Sequence, residues 1–258
     1  MNAQPGTDLP PVVEVDLGAG VRAGFTTRAG GVSRPPYDAL NLGDAVGDEP
    51  TAVGRNRALL ERWAGAPVAY VRQVHGDGVV VVTAPPAAGA ATVGEADALV
   101  AASPLVAVAV LVADCVPVLL ADADAGVVAA VHAGRRGLVA GVVEAAVASM
   151  VGQGADVSRI RAAVGPSIAG TSYEVPAALQ DEVAAVVPEA RATTGWGTPS
   201  LDLSAGVAAV LARAGVPRVE TLVRDTWTDP MLFSYRRAQR TGRFAGVVRL
   251  LPDGAHRS

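Results

Sequence analysis

The sequence contains no lysine, so all 21 basic side chains are arginine. That excludes a Schiff-base lysine, a lysine general base and the lysine of a phosphate-binding loop, and leaves any anion to guanidinium or backbone groups. Cysteine is nearly absent too: Cys115 stands alone, which excludes an internal disulfide. Aromatic residues amount to only 4% while half the chain is apolar, so the core must be filled by Ala, Val and Leu, punctuated by 29 Gly and 18 Pro. A run of basic residues is also missing, and the net charge of -4 offers no field for nucleic acid or an anionic membrane. The longest apolar stretch, residues 105–113, is too short to span a bilayer as a helix. Residues 1–20 lack the basic start and apolar run of a secretory signal, and the expectation is a cytoplasmic protein.

What is present is enough chain for one sizeable core. We expect a single domain over residues 12–252 between flexible ends at 1–11 and 253–258. Strands are expected at 12–15 and 21–26, a long irregular loop at 27–47, and a helix at 51–63 capped by Asp48 or Thr51. A strand at 68–74 runs into the turn-like His-Gly-Asp-Gly ahead of a strand at 79–82, which puts His75 at a hairpin tip. After an Ala/Gly/Pro loop at 85–95 come strands at 105–113, 116–121 and 127–132, whose unbroken Val, Leu and Ala imply a sheet buried on both faces. Helices follow at 138–151, 176–187 and 203–214, with strands at 161–164, 222–224 and 246–250. No strand-helix repeat and no glycine-rich dinucleotide fingerprint occurs, which argues for a mixed α+β fold and against a doubly wound one.

Chemistry concentrates around the cysteine. Folding the two central strands about the turn at 122–126 places His132 opposite Val116 or Pro117 and so beside Cys115. A neighbouring imidazole or metal is what lowers a thiol's pKa and yields the reactive thiolate. Three arrangements are open: a buried thiol with hydrogen-bonded histidines, a Cys-His nucleophilic pair, or a metal held by two imidazoles and a thiolate with an open fourth position. Of the three histidines His256 lies in the tail, so a nearby His75 would favour metal. Arg136 opens a helix and can join its free N–H groups in holding an anion. Phe233 to Arg237 with Thr241-Gly242-Arg243 forms a second guanidinium cluster suited to phosphate or carboxylate. Asp97, Asp114 and Glu174 lie beside these motifs as groups that can orient an imidazole or act as acid or base.

These motifs in this order resemble the laccase-domain or "polyphenol oxidase" family, also described as multispecific purine nucleoside phosphorylases. The landmarks are GFTTRAGGVS at 24–33, NLG at 41–43, RQVHG at 72–76, ADC at 113–115, HAGRRG at 132–137, GPSI at 165–168, YEV at 173–175, and FSYRR with TGR near the end. The resemblance implies an α+β sandwich with helices on both outer faces, in α-β-β-α layers. It implies that His75, Cys115 and His132 are catalytic metal ligands for zinc, with copper as the alternative. It further implies phosphorolysis of adenosine, inosine and methylthioadenosine, together with adenosine deamination, by a monomer whose partners are a nucleoside and phosphate. Arg28, Arg136, Arg236 and Arg237 are the candidates for phosphate, and Asn41 and Asp114 complete the substrate-binding candidates. Relatives are also described as copper-dependent phenol oxidases or as editors of peptidoglycan precursors, the latter matching a Cys115 amide hydrolase; a metal-dependent binding protein is the non-enzymatic alternative. Three histidines and one cysteine can hold one such metal and not a multicopper cluster. The H-x-E with P-C-x-x-C signature is absent, so deamination would use a scaffold unlike the usual nucleobase deaminases. The chain departs from the family pattern at Arg135, where the motif usually reads HAGWRG, and at Ser172, where a cysteine commonly precedes YEV.

Overall fold

Two stretches of strand carry apolar side chains at every position, and the fold has a use for both faces of each. A computed structural model of the chain describes residues 9–87 and 91–252. The segment expected to be flexible at 253–258, His256 within it, and most of that at 1–11 lie outside the described residues. In chain order the elements are β1 (Val12–Glu14), β2 (Val21–Thr26), α1 (Pro50–Ala64), β3 (Val68–Ala69), β4 (Val79–Val82), β5 (Ala98–Ala101), β6 (Ala107–Val112), β7 (Val116–Asp122) and β8 (Val127–Ala133). These are followed by α2 (Arg135–Ala140), α3 (Val142–Gly152), β9 (Arg161–Val164), α4 (Ala177–Val186), β10 (Arg191–Thr193), β11 (Pro199–Leu201), α5 (Leu203–Arg213), β12 (Arg218–Thr221) and β13 (Phe244–Leu250).

The strands form a five-stranded sheet, β1-β2-β13-β6-β3, and a six-stranded sheet, β12-β9-β7-β8-β5-β4, with a separate β10-β11 pair. Along β7, Val118 and Leu120 face one way and Leu119 and Ala121 the other; along β8, Val127, Ala129 and Val131 alternate with Val128 and Ala130. The first set packs under Val143, Met150, Val183, Val207 and Val210 of α3, α4 and α5. The second meets Phe25, Val108, Val110 and Val248 of the other sheet. The outer face of that sheet, Ala107, Ala109, Ala245 and Val247, is covered by Leu60 and Trp63 of α1. Each layer hides the apolar face of the next, which gives a mixed α+β domain layered α-β-β-α. Among the described residues no helix is long and apolar enough to cross a membrane.

Several boundaries differ from the sequence reading, and each difference has a cause. The strand expected at 68–74 ends at Ala69, because Gln73 takes over its pairing: the side-chain amide donates to the Leu111 carbonyl and accepts from the Leu111 N–H, both at 2.8 Å. β3 and β4 then pair in parallel with different sheets, so His75 stands on a crossing between the sheets and not at a hairpin tip. The strands expected at 105–113 and 116–121 are likewise split between the sheets. The helix expected at 138–151 breaks into α2 and α3 at Gly141, whose φ of 95° lies in the left-handed region. α1 is preceded by Glu49 and opens on Pro50, while the expected cap Asp48 instead accepts hydrogen bonds from Ser33 and Asn41. The last short strand pairs at 218–221, not 222–224.

Candidate metal centre

The β7-β8 register pairs Pro117 with His132, which brings the end of β8 beside the residue just ahead of β7, Cys115. His75 arrives from the other crossing. The ligand-capable atoms of His75, Cys115 and His132 all lie within 4.8 Å of one another, with Cys115 Sγ 3.8 Å from His75 Nε2. The two imidazoles meet edge to face at 4.7 Å. His132 is buried, Cys115 half-buried and His75 exposed. Gly134 leaves the room they need: a Cβ there would come within 2.7 Å of the His75 ring and 3.1 Å of Cys115 Sγ.

Asp97 organises this group. It precedes β5, its carbonyl accepts the His132 backbone N–H, and its buried carboxylate lies 2.8 Å from His132 Nδ1. An ionised carboxylate only accepts, so Nδ1 carries a proton and Nε2 is the nitrogen that would face a metal once its own proton is displaced. The same carboxylate accepts the backbone N–H groups of Val74, His75 and Gly76 at 3.2, 2.9 and 2.7 Å, fixing the loop that presents His75. Burial opposes ionisation of the Cys115 thiol, but the His132 charge and hydrogen bonds from both imidazoles outweigh it and hold the thiol well below its ordinary pKa. Burial also opposes protonation of His132, and there the Cys115 thiolate and the Asp97 hydrogen bond win, raising its pKa. A thiolate with two imidazoles is a donor set for one metal ion, and no second group of this kind is found among the described residues.

The trio opens onto a cavity of about 590 Å³. Arg236 and Asp114 line it, whereas Arg28, Asn41, Arg136 and Arg237 do not. Asp114 is already engaged, accepting from the Thr226 hydroxyl and the Arg236 backbone N–H, each at 2.6 Å. Arg28 is paired with Asp38 at 2.9 Å. Arg237 donates to the carbonyls of Thr226, Trp227, Asp229 and Leu232 and so clamps its own loop. Asn41 is buried and holds the backbone of Gly43 and Arg243. Arg136 is exposed on the first turn of α2.

The cavity also brings in Arg243, expected in the second guanidinium cluster, and two residues given no role in the sequence, Tyr173 and Tyr235. Each belongs to a motif noted there, but residue type and spacing carry no sign of which way a side chain turns. The guanidinium of Arg236 stacks 5.0 Å from the Tyr173 ring centre, and that of Arg243 lies 5.9 Å from Tyr235. Arg135 approaches Tyr173, and the Ser172 hydroxyl donates to Asp225 at 2.7 Å.

A family model described as multi-copper polyphenol oxidoreductase laccase matches residues 22–251. A protein of Streptomyces coelicolor named purine nucleoside phosphorylase is 55% identical over 89% of this chain and 95% of its own length. One of the same name from Mycobacterium tuberculosis is 51% identical over 88% of this chain and 91% of its own. Among solved structures, a Neisseria meningitidis protein is similar with a TM-score of 0.83 at 37% identity, covering 93% of this chain and 99% of that one. YlmD from Geobacillus stearothermophilus follows with a TM-score of 0.82 at 31% identity, covering 90% and 93%.

Proposed function

The chain belongs to the family described as multi-copper polyphenol oxidoreductase laccase, and from that premise we propose that it is a zinc-dependent purine nucleoside phosphorylase that also deaminates adenosine. The observation that carries the reading is the His75-Cys115-His132 trio opening onto a cavity whose uncommitted polar side chains are chiefly hydrogen-bond donors. In phosphorolysis a phosphate oxygen bonds to ribose C1′ while the C1′–N9 bond breaks. The purine leaves with that electron pair and takes up a proton. The reaction needs an anion site beside the ribose and a flat apolar surface for the base; the Arg236 and Arg243 guanidiniums supply the first, and Tyr173 and Tyr235 the second.

The thiolate of Cys115 and the ring nitrogens of His75 and His132 would hold the zinc, which supplies Lewis acidity at the wall of the cavity. Asp97 keeps His132 in the ligating tautomer, and the loop it anchors delivers His75. In deamination, water adds to purine C6 and ammonia departs, with the base held by the same aromatic surfaces. Phenol oxidation by a copper cluster is not part of this reading, since one three-donor group serves one ion. The protein is read as a cytoplasmic monomer acting on nucleoside and phosphate alone.

A second reading rests on the lowered pKa of Cys115 beside a protonatable His132: a metal-free thiolate attacking an amide. The two separate in one experiment, turnover of inosine and adenosine with and without phosphate, on wild type and Cys115→Ala of measured metal content. The phosphorylase reading expects ribose 1-phosphate from inosine only when phosphate is present, and loss of both metal and turnover in the variant. Metal-loaded wild type that leaves both nucleosides intact would sink it, and retention of amide hydrolysis after chelation would establish the thiol hydrolase.

A further inference from the structure

We propose that Arg243 and Arg236 form the phosphate subsite of the cavity, with Arg243 as its fixed anchor; the inference rests on the phosphorylase reading and narrows it to two side chains. Seven arginines lie in the signature motifs, and five of them are paired or stand outside the cavity. Arg28 is paired with Asp38, Arg72 with Glu95, and Arg237 with four backbone carbonyls. Arg135 and Arg136 are not among the residues that line the cavity, and Arg135 hydrogen-bonds Tyr173. The two that remain line it, and neither has a carboxylate within ion-pair distance among the described residues.

Their geometry is that of prepared forks. Arg243 gives only Nη1 to its own loop, to the carbonyls of Thr241 and Gly242 at 3.1 and 3.0 Å. Its Nε and Nη2 meet no acceptor among the described residues, and that edge is the one able to receive two oxygens of a phosphate side by side. The stem is held as well: the Arg243 backbone N–H donates to Asn41 Oδ1 at 2.8 Å, and a Cβ on Gly43 would come within 2.8 Å of Arg243 Cγ. Asn41 and Gly43 of the NLG motif therefore act on the ligand through Arg243. Arg236 is arranged alike, with Nη1 on the Glu174 carbonyl at 3.0 Å and its plane stacked on Tyr173.

The carboxylates around this pair are engaged with other donors. Asp114 spends one carboxylate oxygen on Thr226 and the other on the Arg236 backbone, Asp44 faces Arg57 at 3.3 Å, and Glu174 accepts from Trp196. Val71, Val112, Ile168 and Leu203 supply apolar lining. The Asp114 and Cys115 charges act on Arg243, but no carboxylate forms an ion pair with either guanidinium, so both keep donors for an anion. Asp114 also ties the subsite to the trio, since it hydrogen-bonds the Arg236 backbone and directly precedes Cys115.

The test is the dependence of inosine turnover on inorganic phosphate for wild type, Arg243→Gln, Arg236→Gln and the exposed control Arg136→Gln, each with measured metal content. The expected result is a KM for phosphate raised about 10- to 100-fold by Arg243→Gln and less by Arg236→Gln, with the KM for inosine, the metal content and the Arg136→Gln enzyme near wild type. A structural role would instead lower kcat and metal content together. An unchanged phosphate KM in both cavity variants overturns the assignment while leaving the phosphorylase reading intact. If wild type shows no phosphate-dependent turnover, that reading fails, and calorimetric titration with inorganic phosphate decides the subsite: binding abolished by Arg243→Gln upholds it, and no binding to wild type overturns it.

Discussion

Cys115 and His132 stand at the paired ends of β7 and β8, inside a sheet whose two faces are both covered, while His75 stands on an exposed crossing between the sheets. The hairpin is held by seven residue pairs and by apolar contacts above and below. The crossing has no strand pairing at His75 and instead directs three successive N–H groups to one Asp97 carboxylate. Backbone strain falls at both points where the chain changes sheets. Among the described residues, the non-glycine residues with positive φ are His75 at 61° and Asp114 at 97°, one on each crossing. Such conformations persist only where neighbours over-determine them. Strand pairing fixes His132 without local strain, Cys115 follows the strained Asp114 into β7, and His75 is brought to them by a strained loop and a buried acid.

The largest effect should come from the one group that joins the two regions. Asp97→Ala removes the acceptor of three N–H groups and the partner of His132, and is expected to cost about 3–5 kcal/mol of stability and about 10- to 100-fold in metal affinity. Urea unfolding and competitive metal titration read the two losses. If the variant kept both, the loop would be held by something other than Asp97 and the contrast between hairpin and crossing would be lost. A smaller effect separates the two histidines. Metal-free His132→Ala should lose about 1–3 kcal/mol, since it leaves a buried carboxylate without its ring partner. His75→Ala, on an exposed side chain, should stay within about 0.5 kcal/mol of wild type. Both should lose metal, so equal stability losses would break the comparison and equal metal losses would sharpen it.

Much of this division is legible in the sequence. The turn at 122–126 and the period of two place His132 opposite Val116 or Pro117, and the register found pairs it with Pro117. Unbroken Val, Leu and Ala in β7 and β8 signal burial on both faces, and both are buried. What escaped was where the chain changes sheets. Strand propensity runs on past Ala69 and past Val112, but pairing ends there because a Gln73 side chain replaces the backbone at one crossing and Asp114 turns the chain at the other. Tertiary partners decide this, and neither partner is near in sequence. The cavity wall was hidden for the same reason: Arg236 and Arg237 are adjacent and chemically identical, yet one faces the cavity and the other is consumed by four carbonyls.

The far end of the hairpin offers the finest test of its rigidity. Asp122 closes β7 with a fully buried carboxylate that accepts the N–H groups of Ala125 and Asp156 at 3.1 and 2.8 Å and is paired with Arg159 at 2.9 Å. Burial opposes its ionisation, but Arg159 and the two N–H groups outweigh that, so its folded pKa lies below the ordinary carboxylate value. The unfolded chain therefore binds the proton more tightly. The stabilisation is complete above the unfolded value of about 3.9 and is lost as pH falls through the lower folded one. Asp122→Asn keeps an acceptor for one of the N–H groups and gives up the charge on a half-exposed arginine, a loss of about 0.5–1 kcal/mol at pH 7. Its unfolding free energy should converge with wild type as pH falls below about 4. Because Asp122 lies at the end of the hairpin away from Cys115 and His132, metal affinity at neutral pH should not change. A variant that lost metal along with stability would show that strain travels the length of the hairpin, and that the two donors at its other end are less rigidly held than seven paired positions imply.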